Sequence, residues 1–453
     1  MRSTTRMPSS SSGSRLGGSP PSSAAFAKSR PTTPPSGLWS GWGSWREHQP
    51  LIIVAGLMAS TQSSWGSIVP VLPLHAQALG ASLSAVGIVI GAFGLGRLVV
   101  NIPASRLCEF VDPRTVLLIA SVANAILGGI AGMVGSVGHL VALRFLTGVA
   151  GGAAITAGSV LIAMIARYDS RAKSMSVLYT MQLAGSALGP GYGGIIASAF
   201  GARAAFWCSG ALSVPFVAWA LVSLPRSGRP LAPSSADDAG EHRVVSGALA
   251  AAYSVSFGLF FFRFGQQTLL PLLGDQEFGI GPASLGMALS VVAVLSIAAT
   301  AAVGGLSDRI GRRVVIVPSL LGIAVASFGF AMAPNPAIFY FTMVVVGLLT
   351  SVNGSAPMAY LTDIVPSHRY ARSIGMYRTF GDLACVLAPI IVATLLEAFG
   401  AVEAVLSLVV VVGATAGIFW YLAPETVSRS GRIESQRQAD FGCSRPASES
   451  ELA

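Results

Sequence analysis

The chain has 453 residues, of which 53% are hydrophobic and only 10% are charged, and its formal net charge is +9. A water-soluble protein of this size needs more charged residues to cover its surface. We therefore expect most of the chain to lie in a lipid bilayer. Its apolar runs are continuous rather than alternating, which excludes a membrane β-barrel. We therefore expect an all-α membrane protein.

The chain begins with a basic, serine-rich tail over residues 1–49. Thirteen of the first 46 residues are Ser, six are Arg or Lys, and the first acidic residue is Glu47. A segment of this composition cannot bury a core, so we expect it to be disordered. Two interpretations stay open, a plain cytoplasmic tail and an organellar transit peptide, which is also basic and free of acids. Trp39, Trp42 and Trp45 then suit the water–lipid interface.

Twelve apolar stretches follow the tail. Each is about 20 residues or longer, enough for a helix to cross about 30 Å of hydrocarbon. They lie at 51–74, 85–107, 114–135, 138–162, 172–198, 202–224, 247–271, 283–306, 314–333, 336–361, 372–396 and 401–422.

The last six stretches repeat the first six, 199 residues later and without a gap. Gly87 aligns with Gly286 in this way, and Pro190 aligns with Pro389. Two six-helix halves around a central path are the plan of a secondary transporter. The expected domains are an N-terminal half at 50–224, a cytoplasmic linker at 225–246, a C-terminal half at 247–422 and a polar tail at 423–453.

Basic residues concentrate in alternate loops, which predicts that these loops and both termini lie on the cytoplasmic or stromal side. They are Arg106, Arg114, Arg167, Arg171, Lys173, Arg226, Arg229, Arg243, Arg309, Arg312, Arg313, Arg369 and Arg372. The opposite loops carry Asp275, Glu277, Glu397 and Glu403, with Arg203 as their basic residue. The positive charge follows from this rule rather than from nucleic-acid binding.

No motif for catalysis or metal binding accompanies the spans. The four cysteines, Cys108, Cys208, Cys385 and Cys443, have neither metal spacing nor a paired framework. The sequence lacks a P-loop, a zinc-protease motif and a hydrolase elbow. We expect no enzyme activity, no cofactor and no metal. The multi-pass chain is expected to act as a monomer, in the plasma membrane or an organelle membrane.

The fifth span contains a glycine-rich string. Gly185, Gly189, Pro190, Gly193 and Gly194 form the pattern G-x-x-x-G-P-x-x-G-G. Glycines four apart allow another helix backbone to approach closely, and a proline bends the helix. We expect this string to serve close packing between the two halves.

A second string follows the eighth span and has the pattern G-x-x-x-D-R-x-G-R-R. Its members are Gly304, Asp308, Arg309, Gly311, Arg312 and Arg313. The first-half copy is degenerate and keeps only an acid, Glu109, and a final Arg114. An ordinary basic loop would explain the arginines but not the aspartate and glycines.

Together the two strings resemble signatures of the major facilitator superfamily, in the form of its twelve-span drug:proton antiporters. Arg144-x-x-x-Gly148 and Pro424-Glu425-Thr426 resemble two further elements of that family. The resemblance covers residues 50 to 426. It implies two rocking six-helix halves, a loop that latches one half against the other, and proton-coupled export of a small solute. The eroded first copy implies latches of unequal strength.

Charges inside the spans point to the transport path, because ionisable groups at membrane depth are costly. Arg97 and Asp382 lie near mid-membrane, and Arg378 precedes Asp382 by one helical turn. Arg144 and Arg263 are the other two deep arginines. Four arginines against one carboxylate leave a positive path, which favours an anionic or neutral solute over a cationic drug.

Asp382 has two interpretations that the sequence leaves open. In the first it neutralises Arg378 or Arg97 and holds the seam between the halves. In the second it carries the coupling proton. The drug antiporters commonly have an acid in the first helix, but this span offers Gln62 and Trp65 instead, so coupling through that position is unsupported.

Neutral polar side chains complete the candidate path: Tyr179, Gln182, Gln266, Gln267 and Asn353. Each can bind a solute or simply join two helices by a hydrogen bond. The expected function is secondary transport of a small organic solute by alternating access, with proton-coupled export of amphipathic or anionic molecules first. An organic-anion or metabolite carrier and a non-transporting, receptor-like relative are the alternatives.

Overall fold

The computed structural model describes residues 45–166, 171–224, 246–353, 356–365 and 369–424, all of them helix or short connection. Within these ranges the side chains of 45–47, 171–172, 246, 301–309 and 370–371 are not described. The expected N-terminal tail up to residue 44, the linker at 225–245 and the C-terminal tail from residue 425 lie outside the described residues.

The N-terminal half contains eight helices that form six spans. They are α1 (Trp45–Ile68), α2 (Leu72–Ala78), α3 (Leu83–Phe110), α4 (Pro113–Ile130), α5 (Val137–Ile165), α6 (Arg171–Phe200), α7 (Ala202–Ala211) and α8 (Val214–Ser223). Helices α3, α4 and α5 begin with N-cap residues. Ser82, Asp112 and Ser136 each accept a hydrogen bond from a backbone N–H of the first turn.

The C-terminal half contains seven helices, again in six spans. They are α9 (Ser246–Phe278), α10 (Pro282–Ile310), α11 (Arg312–Ala331), α12 (Pro336–Val352), α13 (Ala356–Ile364), α14 (Tyr370–Ala398) and α15 (Ala401–Leu422). The repeat extends to the turns. Gly201 and Gly400, 199 residues apart, both have positive φ angles, 86° and 106°, in the short links before α7 and α15.

Eleven of the described helical segments are long and apolar enough to cross a membrane. Helix α6 supplies the twelfth span with 30 residues, and its glycines, serines and proline lower its hydropathy. The expected twelve-span, two-half architecture is confirmed. Prolines explain two breaks within spans, because Pro70 and Pro73 flank the start of α2 and Pro215 lies in the first turn of α8.

The bundle has two ends, which we name by their loops. The basic face carries Arg106, Arg114, Arg312, Arg313 and Arg369, and the acidic face carries Glu397 and Glu403. Two seams join the halves, one between α3 and α14 and one between α6 and α10. In both, glycines near the acidic face lie against backbone of the other half: Gly87 against Pro389, and Gly286 against Pro190.

The α3/α14 seam is looser toward the basic face. Gly375, in the basic-face part of α14, has open space where a Cβ would point, and Arg372 and Met376 beside it are exposed. Both seams are therefore closed at the acidic face, and the described part of the α3/α14 seam is more open at the basic face. This is one of the two end states that a rocking transporter needs.

Candidate functional site

An ion pair joins the two halves at mid-membrane. Arg97 Nη2 on α3 lies 3.1 Å from Asp382 Oδ1 on α14, and Asn101 Nδ2 donates a hydrogen bond to Asp382 Oδ2 at 2.6 Å. Gly94 makes this possible, because its Cα hydrogen faces the backbone and Sγ of Cys385 and the helices meet closely there. Asp382 is 2% exposed, so its carboxylate is satisfied by the opposite half rather than by water.

Arg378 lies near enough to Asp382 for an electrostatic interaction but does not form a direct ion pair with it. The sequence pattern placed it one turn from Asp382 as a possible partner, but the described residues contain no ion pair to it, and its side chain is exposed. Asp382 instead faces α3, where Arg97 and Asn101 are also one turn apart. Asn101 was missed in the sequence, although its spacing from Arg97 places both on one helix face.

Arg263 is the second exposed arginine of the central space. Its Nη2 donates to Ser186 Oγ on α6 at 3.0 Å, so it also bridges the halves. Arg263 and Arg378 each lie near enough to Arg97 and Tyr179 for an electrostatic interaction. Tyr179 is 54% exposed and occupies the first-half position equivalent to Arg378. Both arginines thus lie near the Tyr179 phenol, and neither forms a direct ion pair with a carboxylate among the described residues, although Arg378 also interacts electrostatically with Asp382.

The remaining polar candidates divide between the central space and the helix interfaces. Gln62, Gln182 and Gln266 are half-buried, and Gln182 Nε2 donates to Leu178 O at 3.4 Å. Asn353 is buried, and its Nδ2 donates to Ser319 Oγ on α11 at 2.8 Å, so it joins two helices of one half. Gln267 lines a small cavity toward the acidic face, where its Oε1 accepts no hydrogen bond from the described part of the chain.

Arg144 is the most enclosed of the four deep arginines, with 2% of its surface exposed. Its guanidinium carbon lies 4.8 Å from the ring centroids of both Trp65 and Phe93, which are stacked 4.2 Å apart. The site residues therefore form two levels: an open level at Arg263, Arg378 and Tyr179, and an enclosed level at Arg144 closer to the acidic face.

The glycine string of α6 serves two different contacts. Gly185, Gly189 and Gly193 lie against the backbone of Ala59, Ser63 and Ser67 on α1, within the same half. Gly194 and Pro190 instead face α10 of the other half, at Pro282 and Gly286. The expectation that the whole string packs between the halves was wrong for Gly189, because spacing by four puts residues 185, 189 and 193 on one helix face.

At the basic face, the loop string ends α10 and, after Gly311, begins α11. Gly311 has a φ of 118°, Arg312 Nε lies 3.3 Å from Asp363 Oδ2, and Arg313 stacks over the ring of Trp420. The side chains of Gly304, Asp308 and Arg309 lie outside those described. In the first half, Glu109 is half-buried. Among the described residues no group of three His, Cys, Asp or Glu side chains is placed to hold a metal.

Similar proteins agree with this architecture. The uncharacterized MFS-type transporter MJ1560 of Methanocaldococcus jannaschii is 20% identical over 334 residues, 71% of this chain and 84% of that protein. Multidrug resistance protein 2 of Bacillus subtilis is 22% identical over 272 residues, which cover 58% of this chain and 68% of the relative.

Among solved structures, a bacterial homolog of the human lysosomal transporter Spinster, in an inward-facing and occupied conformation, matches with a TM-score of 0.71. The match has 13% identity and covers 86% of this chain and 98% of that one. The family model described as Major Facilitator Superfamily matches residues 52–254 and then 255–448, one copy after the other. With both copies matched and twelve spans in two halves, the chain belongs to the major facilitator superfamily.

Proposed function

We propose that the protein carries a small organic anion across the membrane together with a proton, by alternating access between the two faces. The observation that carries this proposal is the charge balance of the central space. Three arginines, Arg97, Arg263 and Arg378, lie around one described carboxylate, Asp382, which forms a direct ion pair with Arg97 and interacts with Arg378 only through space. Such a space attracts anions and repels cations.

The ion pair provides a route to proton coupling. When Asp382 is ionised, it holds Arg97 at 3.1 Å. Protonation of Asp382 removes that attraction and leaves Arg97 as a third cation free to bind the solute. Proton and anion then strengthen each other's binding, since linkage is reciprocal. Both cross in the same direction, unlike the exchange that the drug-antiporter resemblance implies.

The direction of opening follows from the same rule that orients the loops. The positive-inside rule assigns the basic face to the cytoplasmic or stromal side, so opening at that face corresponds to an inward-facing state. In it, Arg263, Arg378 and Tyr179 meet solute from that side. Closing the basic face and opening the acidic face would present the solute to the opposite compartment.

A set of three matched probes tests the substrate class. Benzenesulfonate, benzenesulfonamide and benzyltrimethylammonium are similar in size and are anionic, neutral and cationic. In vesicles containing the purified protein, benzenesulfonate should enter fastest. Arg378→Gln and Arg263→Gln should each reduce that uptake about tenfold or more, the effect of losing one charged hydrogen bond.

Arg106→Gln is the matched control, because this arginine is exposed on the basic face and outside the central space. It should leave benzenesulfonate uptake within about twofold of the wild type. Faster entry of benzyltrimethylammonium than of benzenesulfonate would contradict an anion carrier and favour export of cationic drugs.

A further inference from the structure

Arg144 is a buried cation that has no role in the proposed mechanism. Its Nε and Nη2 are buried and have no hydrogen-bond partner among the described residues, and no described carboxylate forms an ion pair with it. The titratable group that interacts with it electrostatically is the thiol of Cys385, across the seam. A buried charge is costly unless it is paired. The two aromatic faces supply only part of what a counter-ion would.

The fold holds this guanidinium firmly in place. Gly148, one turn after Arg144 on α5, lies against the carbonyl of Phe93, and Gly96 lies against the carbonyl of Phe145. These glycines allow α3 and α5 to cross in close contact, so the ring of Phe93 stands beside Arg144. Trp65 of α1 stacks on Phe93 and closes a cage from three helices of one half.

The cover over this cage comes from the other half. The ring centroid of Phe264 on α9 lies 5.8 Å from that of Trp65. Gln267, one turn further along α9, faces Trp65 and Ile90 across the small cavity, and its Oε1 accepts no hydrogen bond from the residues that the structure describes. Both contacts join the halves on the acidic-face side of Asp382. They must therefore separate when the acidic face opens.

We propose that Arg144, Trp65 and Phe93 form a second anion site, which opens to the acidic face and takes the acid group and flat apolar part of the solute. The guanidinium nitrogens bind the sulfonate or carboxylate, and the Trp65 ring lies against an aromatic or planar body. Arg263 and Arg378 hold the same solute when the basic face is open. This site rests on the proposed anion transport and gives it two positions along the path.

The test uses protein held open at the acidic face. Gly286→Trp cannot close there, because any side chain at this position meets the carbonyl of Pro190. Equilibrium binding of radiolabelled benzenesulfonate to this purified full-length variant is compared with and without Arg144→Gln. Binding should weaken about tenfold or more on loss of the arginine, and Arg144→Lys should retain most of it.

Trp65→Leu is a second, independent variant. In the Gly286→Trp protein it should weaken benzenesulfonate binding more than ethanesulfonate binding, because ethanesulfonate has no ring to stack. Gly87→Trp opens the other seam and provides a second background with the same expectation. If Arg144→Gln fails to elute as a monodisperse folded protein, the Trp65 comparison alone decides.

Two results distinguish failure of the second anion site from failure of the central one. Unchanged benzenesulfonate affinity on Arg144→Gln, together with an unchanged ring preference on Trp65→Leu, would overturn the second site and leave the central one standing. If Arg263→Gln and Arg378→Gln leave binding unchanged in the protein with both glycines intact, the central anion site fails. An Arg144 effect in the open background would still support the site proposed here.

Discussion

The two seams between the halves are copies of each other in sequence, yet they carry different chemistry. Near the acidic face they match: Gly87 meets Pro389 in one, and Gly286 meets Pro190 in the other. At mid-membrane, Arg97 and Asn101 of the α3/α14 seam are replaced in the α6/α10 seam by Ser296 and Thr300. Duplication thus preserved the closing surface, and the ionic pair occurs in one copy.

The two mid-membrane hydroxyls of the α6/α10 seam, those of Ser296 and Thr300, are bonded within their own half. Ser296 Oγ donates to Gly347 O at 3.0 Å, and Thr300 Oγ1 donates to Ser351 O at 3.0 Å, both on α12. Arg97 and Asn101, in contrast, bond across to Asp382. At mid-membrane the α6/α10 seam can therefore slide without breaking a charge pair among the described side chains, whereas the α3/α14 seam must exchange its partners.

The largest expected effect comes from removing the charge in the α3/α14 seam. Asp382→Asn keeps an oxygen for Arg97 and Asn101 but cannot ionise, so it should behave as the protonated state. Benzenesulfonate accumulation driven by a pH gradient should fall to the level of protein-free vesicles. Exchange of labelled for unlabelled benzenesulfonate should stay within about threefold of the wild type, because exchange moves no net proton.

Ser296→Ala is the matched control in the other seam, and both activities should survive in it. Accumulation that persists in Asp382→Asn with the same dependence on the pH gradient would assign Asp382 to a structural partnership with Arg97. The solute would then move by uniport or with another ion.

Much of this comparison was accessible from the sequence. The apolar runs predicted the twelve spans, and the 199-residue repeat predicted equivalent positions such as Gly87 and Gly286. Arg97 and Asp382 stood out because charges at membrane depth are rare. Periodicity gives the helix face on which a residue lies, but not the neighbour that this face meets.

That gap accounts for the residues that were missed or misassigned. Gly189 packs on α1 of its own half, although the sequence favoured packing between halves. Asn101 and Ser186 are short polar residues in apolar helices, and only the cross-half contacts distinguish them from ordinary helix-packing residues. Asn353, whose amide joins α12 to α11, had the same appearance in the sequence as Gln182.

A second prediction concerns the glycine contacts near the acidic face, which are equivalent in the two seams. Gly87→Leu and Gly286→Leu both place side chains against backbone of the opposite half, so the acidic face cannot close in either variant. Transport of benzenesulfonate should fall about a hundredfold in each, the cost of blocking close helix packing by a few kcal/mol.

Gly413→Leu is the control, because a Cβ at this α15 glycine points into open space. It should transport benzenesulfonate at close to the wild-type rate. If only one of the two seam glycines proves essential, the halves pivot about the other seam, and the acidic face closes asymmetrically.

The smallest expected effects concern the caps at the acidic-face ends of the two seams. The Ser84 N–H at the start of α3 donates to Glu397 Oε2 at 2.6 Å, and the Ala283 N–H at the start of α10 donates to Ser198 Oγ at 3.2 Å. Ser84 aligns with Ala283, and Ser198 aligns with Glu397, in the 199-residue repeat. Each half therefore caps a helix of the other, with a charged group in one seam and a neutral one in the other.

A carboxylate at a helix N-terminus is a stronger acceptor than a neutral group, but Glu397 is exposed and its charge is screened, so Glu397→Gln should shift the closed-to-open equilibrium of the acidic face only about twofold toward open. Ser198→Ala loses one neutral hydrogen bond and should produce a shift of similar size. Ser290 contacts Gly191 in the closed seam. In a Ser290→Cys background, the rate of thiol labelling from the acidic side therefore measures this opening. Salt should weaken the contribution of Glu397 and leave that of Ser198 unchanged, because screening acts on the charge alone. Equal salt sensitivity in the two variants would contradict the assignment of a charged cap to Glu397 and a neutral cap to Ser198.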